Sequence, residues 1–566
     1  MNTLSAPQTA DTIHKPTPKD WGALAVLASG LGLIVLDGTI VGVALPDIIR
    51  SIDLNLTDAQ WVNSIYAVLL AALLLSTGKI ADRVGRKRLF LLGLVIFALG
   101  SGLAALSGSA APLIASRAVQ AVGAAMIMPS TLSTVNATFR GKYRAAAFGV
   151  WGAVISGTAA IGPLAGGALT QFASWHWIFL VNLPLCLIVL IVGFFTVTET
   201  NAPSDLPGFD VDGAQLSAIG FGTLVFGIIE GPELGWWSQK APLTIGPWTW
   251  SESAPISPVP TALIVSAIAL ALFVRWEIHR ERVQRSRLLE LSLFGLPTFS
   301  WGNLTAAMVA IGEFAIIFVL PLYLINVLGL SVLNTGFVLA AMAVGAFASG
   351  AAARHLAAKF GAPGTVLIGL GLEMVGAVWL ALTVSGEGSG WMAAAPLVLY
   401  GLGLGLASAQ LTGTVLQDAP VEVSGQASAT QSTVRQIGSA LGTAVAGATL
   451  SVALANSLPK ALENANLTGE VADSFAESTR QTAGTTIAIL RGQGGHSPFG
   501  GATDTAIRAL SDGFASATQV SLFVAAGFLM LGFIGALRVL QVSRDPNRPG
   551  AGGAAKPQDT PQNAKE

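Results

Sequence analysis

Charge is what this chain has least of. Aspartate, glutamate, lysine and arginine together supply 11% of its 566 residues, where a soluble globular domain carries roughly 25%. So little charge excludes the soluble classes and indicates a polytopic membrane protein. A net charge of -1 gives no bulk attraction for nucleic acid or an acidic partner. Cysteine is nearly missing: Cys186, the single one, sits in an apolar run and cannot form an internal disulfide. With no Cys/His cluster, no metal is expected, and no nucleophile constellation marks an enzyme. The chain has no G-x-x-x-x-G-K-[ST] phosphate loop, so an ion gradient rather than a nucleotide is the expected energy source, and no cofactor is expected. The first 20 residues lack a short apolar region before a cleavage site, so no removable signal peptide is expected.

Apolar residues are what the chain does have, at 52%, with 65 glycines and 27 prolines. Both are more frequent in membrane helices than in soluble ones. A bilayer-crossing helix needs about 20 mostly apolar residues. Such runs fall near 22–45, 60–78, 89–107, 112–138, 145–169, 176–196, 212–231, 260–279, 299–326, 335–354, 365–384, 391–414, 425–453 and 516–541, fourteen in all. An even count puts both termini on one side. With that side cytoplasmic, the tails and cytoplasmic loops hold 22 of the 30 Lys and Arg, among them Arg140, Lys142 and Arg144, and the outer side holds 6. That asymmetry follows the positive-inside rule. Arg117 and Arg435 fall inside spans. The outer segment 232–258 carries four tryptophans, suited to an interfacial belt. Segment 455–515 is polar and Gly-rich, either a hairpin over the outer mouth or a mobile loop. Arg275 to Arg287 (RWEIHRERVQRSR) is expected to form an amphipathic surface helix.

The chain also repeats itself. IADRVGRKRLFLLGL (80–94) aligns with LAAKFGAPGTVLIGL (356–370), pairing Gly85 with Gly361 and Gly93 with Gly369. Internal repeats of this kind mark transporter folds. The expected organisation is an all-α membrane protein of two six-helix bundles plus two additional helices. Its parts are a tail 1–21, a bundle 22–196, two inserted helices with a basic linker 197–297, a bundle 298–541 that includes loop 455–515, and a disordered cytoplasmic tail 542–566.

In GKIADRVGRKRLF (78–90), Gly78 and Gly85 allow close approach and a tight turn. Asp82 can accept from Arg86 or from a helix N-terminus, and Arg83 joins them as a candidate gate residue. Here the chain resembles the major facilitator superfamily. LDGTIVGVALP (36–46), RAVQAVGAA (117–125) and SGTAAIGPLAGG (156–167) are similar to motifs of its fourteen-span drug:proton antiporters. So are YLINVLGLS (323–331) and TVRQIGSALG (433–442). Gly42, Ala121 and Ile325 stand where that family usually has Asn, Gly and commonly Gln. In the third motif region, Gly152, Ser156 and Ala160 recur every fourth residue. With Gly157, Gly162, Gly166 and Gly167 they would let two helices approach closely, and Pro163 would kink the helix. The resemblance implies that this face helps seal the outer side.

A charged group in a span costs about 2.5–3.5 kcal/mol even on the mild insertion scale, so each one is a functional hypothesis. Asp37 and Arg117 have compatible depths and could pair across a central cavity, where opening to either side would change how firmly Asp37 holds a proton. Glu313, Glu373 and Arg435 fall near the midplane; either acid could pair with Arg435 or serve as a proton or cation site, and a structural ion pair is the alternative. Glu230 and His176 lie at outer helix ends and are expected at the interface. The resemblance implies a proton-coupled antiporter exporting small lipophilic, cationic drugs by alternating access. The alternative is a secondary carrier of an endogenous metabolite or lipid precursor. The expected setting is a bacterial inner membrane. Substrate, protons and lipid are the expected partners, and a monomer without nucleic acid is the expected state.

Overall fold

A computed structural model of the chain describes residues 16–139, 142–200, 208, 210–245, 248–420 and 423–545. Most of both expected tails, and Arg140, lie outside the described residues, as do the side chains of Lys142, Arg144, Ser156 and Ala160 and the surroundings of Gly152.

The elements in order are α1 (Pro18–Ser51), α2 (Leu56–Val84), α3 (Arg86–Ala105), α4 (Ala110–Thr138), α5 (Lys142–Phe172), a short α6 (Trp177–Leu180), α7 (Asn182–Thr196), α8 (Val211–Leu234), β1 (Leu243–Ile245), β2 (Trp248–Trp250) and α9 (Pro258–Arg282). Then follow α10 (Pro297–Leu322), α11 (Val332–Thr383), α12 (Ala394–Leu416), α13 (Ser424–Asn464), α14 (Glu470–Gln481), α15 (Thr485–Gln493) and α16 (Thr503–Ser543). Among the described residues, 12 helical stretches are long and apolar enough to cross a membrane. One of these, α11, is 52 residues long and breaks at Gly361, where φ is 77° and ψ 165°. The 31-residue α5 runs alongside α1 and α11.

Local chemistry sets the helix starts. Thr17 and Asp20 form a reciprocal capping box ahead of Pro18, and Asn55 and Asp58 form another at α2. Ser257 caps α9 ahead of Pro258. Short turns make successive helices antiparallel, so Pro18 and Ser543 lie at one end of the molecule, the terminal end, with the turn at residues 51–56 at the other, the loop end. The repeat seen in the sequence has a backbone counterpart. Gly85 between α2 and α3 and Gly361 inside α11 both carry positive φ, 121° and 77°, a region open to glycine at little steric cost.

Helices α1–α5 and α7 form one bundle; α10, the two arms of α11, α12, α13 and α16 form the second. They meet where α5 packs on α11, α2 on α13 and α1 on α10. Those contacts lie in the half toward the loop end: Gly167 abuts Leu333, Gly336 abuts Pro163, and Gly42 faces Ile317. The apolar cluster at that end draws on both bundles, from Ile40 and Ile48 to Leu324 and Leu454. Toward the terminal end the clusters separate, one around Leu24, Phe90 and Phe139, the other around Phe299, Leu370 and Val415. The molecule is closed at the loop end and cleft at the terminal end.

Three segments depart from or sharpen the sequence expectations. Segment 455–515 is an ordered helical cap: α14 and α15 bury Ala476, Ile487 and Leu490. Arg491 donates to the Asn326 and Val327 carbonyls, and Asn326 donates to Ala483 O at 2.8 Å. Burial pulls the Arg491 guanidinium below its ordinary value. The basic segment Arg275–Arg287 is no separate surface helix, although Arg275, His279, Arg282 and Arg285 are exposed. Its first residues extend α9, which turns at Gln284 (φ 52°), and Glu277 and Arg280 are buried. Asp210 supplies the reason: it accepts from Trp276 Nε1 at 2.8 Å and pairs with Arg280 at 3.3 Å. Glu277 in turn accepts from the Leu288 and Leu289 amides. Glu230, expected at the interface, is half-buried and accepts from Trp61 Nε1 at 2.8 Å, tying α8 to α2.

Candidate functional site

The densest polar cluster inside the membrane body is centred on Asp37. Helices α1, α3, α4 and α7 bring together Asp37, Ser101, Arg117, Gln120 and Asn182, all buried. The Arg117 guanidinium pairs with one Asp37 oxygen. The other oxygen accepts from Gln120 Nε2 and from Asn182 Nδ2, each at 3.1 Å. Gln120 and Asn182 also donate to Ser101 Oγ, at 2.7 and 3.2 Å. Arg117 further donates to Gln120 Oε1 at 2.9 Å and to the Val62 carbonyl at 3.2 Å. Its guanidinium carbon stands 4.4 Å from the Tyr66 ring centroid and 5.9 Å from that of Phe179. Asp37 is 0% exposed and Arg117 1%. The sequence suggested a pair across a central cavity; instead the pair is sealed inside the first bundle. The reason is steric and electrostatic: the aromatic rings cover the guanidinium, and neutral amides fill the remaining carboxylate sites.

The second bundle holds the other intramembrane charges. Glu313 on α10 faces Arg435 on α13 at 3.7 Å. The Arg435 side chain is 48% exposed and that of Glu313 12%, so the pair is open on its Arg435 side. Glu373 pairs with neither. It is fully buried where α11 packs on α12, against the Gly403 backbone. Among the described residues, neither Glu373 oxygen nor the Tyr400 hydroxyl has a hydrogen-bond partner. The structure thus joins Asp37 with Arg117 and Glu313 with Arg435, and leaves Glu373 one helix behind Glu313.

At the terminal end, Asp82 accepts from Arg86 at 2.8 Å across one helical turn, spanning the break at Gly85. Arg86 reaches on to Ser133 O at 3.2 Å. Glu199, which the sequence did not single out, accepts from the Lys87 and Arg88 amides and so caps α3. A Cβ at Gly85 would stand 2.6 Å from the Glu199 carboxyl carbon, so this glycine is required both for φ and for space. A Cβ at Gly78 would stand 3.4 Å from Pro129 Cβ. Arg83 donates to Gly208 O at 2.8 Å. Lys79 donates to Ser286 Oγ at 3.3 Å and to the Arg287 carbonyl. These bonds tie the α2–α3 turn to both segments that flank the inserted pair α8–α9.

The glycines of α5 act as spacers at the loop end. Gly162 and Gly166 face Thr39 and Ile40 of α1, and a Cβ at Gly166 would meet Ile40 O at 2.8 Å. A Cβ at Gly167 would stand 2.9 Å from both Val332 O and Leu333 Cα of α11, and one at Gly336 would meet Pro163 O. Gly157, expected in the same packing set, has nothing among the described residues within 4 Å of a Cβ placed on it.

Two apolar helical bundles, one with a buried ion pair and one with a partly exposed pair, suit a membrane transporter. The model of the Major Facilitator Superfamily matches residues 27–443. The chain belongs to that superfamily; it is a membrane-embedded transporter of small molecules and not an enzyme. It is 30% identical over 475 residues, 82% of its own length and 83% of the relative's, to the tetracenomycin C resistance and export protein of Streptomyces glaucescens. It is 33% identical over 441 residues, 78% and 82% of the two lengths, to the multidrug efflux pump LfrA of Mycolicibacterium smegmatis. In fold it is similar to the crystal structure of a bacterial homolog of the human lysosomal transporter Spinster, inward-facing and unoccupied. The TM-score is 0.58 at 19% identity, over 93% of this chain and 99% of that one.

Proposed function

We propose that this transporter is a proton-coupled antiporter, exporting small lipophilic, cationic compounds across a bacterial inner membrane by alternating access. The observation that carries the reading is the Glu313–Arg435 pair in the second bundle. A loose pair at 3.7 Å, open on its Arg435 side, can exchange partners. A cationic substrate competes with Arg435 for the Glu313 carboxylate, and a proton on Glu313 abolishes its attraction for either. Proton and substrate then exclude one another, which is the condition for antiport. Asp37 is the second coupling acid: its pair with Arg117 is closed in this state and opens as the first bundle tilts. Glu373, within electrostatic reach of Glu313, is the third. The names of the relatives, a resistance and export protein and a multidrug efflux pump, support the substrate class.

Counting the arms of α11 separately and including α5 takes the crossings to fourteen, and the excess of basic residues on the terminal side supports cytoplasmic termini. On that sidedness the cleft opens inward. Outward opening requires α5 to leave α11 at Gly167 and the terminal ends to close, with Asp82, Arg83 and Arg86 organising the inner gate. The test is dye efflux from cells producing the parent. Export that collapses when the proton gradient is dissipated supports the proposal. Indifference to dyes, with exchange of an endogenous metabolite instead, moves the assignment to a metabolite carrier.

A further inference from the structure

A groove of about 750 Å³ lies away from the cleft, between α8, α13 and α16, in the half toward the loop end. Its volume falls in the range of small-molecule sites. The shape has a plain cause. Near the middle of the molecule α8 packs tightly on α2 and α13, through Val225 and Ile229 against Ala440 and Ala444. Beyond that contact α8 ends at Leu234, and the Trp236 ring folds back onto Gly231 as a wall. On the other side α13 and α16 stay pinned, with Ser457 Oγ donating to Gly513 O at 2.8 Å. The gap between these walls is the groove.

Its lining is mostly aliphatic, with Val445, Val452, Ala453 and Val520 beside Thr449 and Ser516, and Asn456 and Lys460 stand at its far end along α13. Val452 and Val520 remain 46% and 45% exposed, so the groove is open along one side. Lys460 has no carboxylate partner among the described residues. From Val445 to Lys460 the helix rises roughly 22 Å at 1.5 Å per residue. Its apolar part on α13, Val445 to Ala453, spans roughly 12 Å, within the ~15 Å hydrocarbon half of a bilayer, with Asn456 and Lys460 beyond it. An apolar trough followed by an ammonium without a carboxylate partner is complementary to an anionic lipid.

We propose that this groove seats one anionic phospholipid of the leaflet opposite the termini. An acyl chain lies along Val445–Ala453, and the phosphate diester rests against Lys460 and Asn456. The lipid would wedge the inserted pair α8–α9 against the second bundle, and the site is independent of the transport cleft.

Native mass spectrometry of the full chain, released from nanodiscs of phosphatidylglycerol or of phosphatidylcholine, tests this. The parent should retain one phosphatidylglycerol and no matching phosphatidylcholine. Lys460→Gln and Ala453→Trp, which remove the charge and fill the trough, should each lower that adduct at least fivefold, and Lys460→Arg should keep it. An adduct unchanged in both variants, or equal retention of phosphatidylcholine, overturns the proposal. Displacement of the lipid by inorganic phosphate would reduce the site to a rim anion site and overturn it too. Displacement by an exported dye would assign the groove to substrate.

Discussion

Deleting one partner of the Asp37–Arg117 pair should harm the protein more than replacing both. In Asp37→Asn, Arg117 stays 1% exposed, with Gln120 Oε1, the Val62 carbonyl and two ring faces around it but no counter-charge. Breaking a buried ion pair by removing one member costs about 3–5 kcal/mol, whereas apolar replacement of both is often neutral or better. In Asp37→Asn/Arg117→Met the new amide oxygen still accepts from Gln120 and Asn182. What is lost is the donor to Gln120 Oε1 and to the helical Val62 carbonyl, about 1–3 kcal/mol. Thermal unfolding of the purified proteins in detergent should therefore rank parent, then double variant, then Asp37→Asn. Transport should be absent from both variants, since neither can hold a proton at residue 37. A double variant that melts at or below the single would refute the reasoning, because the charge left behind would not be the source of the loss.

Three other outcomes follow from particular contacts. Gly85→Ala places a Cβ on the Glu199 carboxyl in a positive-φ backbone, at a conformational cost of about 1–2 kcal/mol before the clash; its melting temperature should fall, while Gly157→Ala, with no described residue within 4 Å of its Cβ, should leave it unchanged. Gly167→Leu drives a side chain into Val332 and Leu333, so transport should be lost, with cysteine crosslinking at the loop end reporting helices held apart; normal crosslinking would contradict the closure described. In the cap, Arg480 hydrogen bonds hold Glu477 below the usual carboxylate range. Its contribution is present above the unfolded value of roughly 4.3 and is lost as pH falls through the lower folded value. Protection factors in 470–481, taken relative to the intrinsic exchange rate at each pH, should fall between pH 6 and pH 3 in the parent, with Glu477→Gln lacking that step.

The fold was legible in the sequence because a membrane imposes a simple code: apolar length, basic loops and glycine breaks. Gly85 and Gly361 show how far that reaches, since a match of two short segments pointed to two backbone breaks of the same kind. Asp37, Arg117, Glu313 and Arg435 were legible for the same reason, the cost of charge in hydrocarbon. Gln120, Asn182 and Ser101 were not, because neutral polar residues in a span carry no such penalty signal and only their convergence on one carboxylate reveals them. The segment after Trp276 misled because its charge density resembles a solvated face. Its partner, Asp210, stands 66 residues away in sequence, and no local pattern announces that pairing. The cap 455–515 was ambiguous because its helices are short and gain their order from contacts with Asn326 and Val327.

Coupling itself is tested most directly by proton movement in proteoliposomes that hold a pH-sensitive dye. Adding a cationic substrate to the parent should move protons in the opposite direction, and an imposed pH gradient should drive substrate uphill. Asp37→Asn and Glu313→Gln should each abolish both responses while still binding the substrate. Undiminished proton-driven transport in both variants would contradict the coupling proposed for these acids.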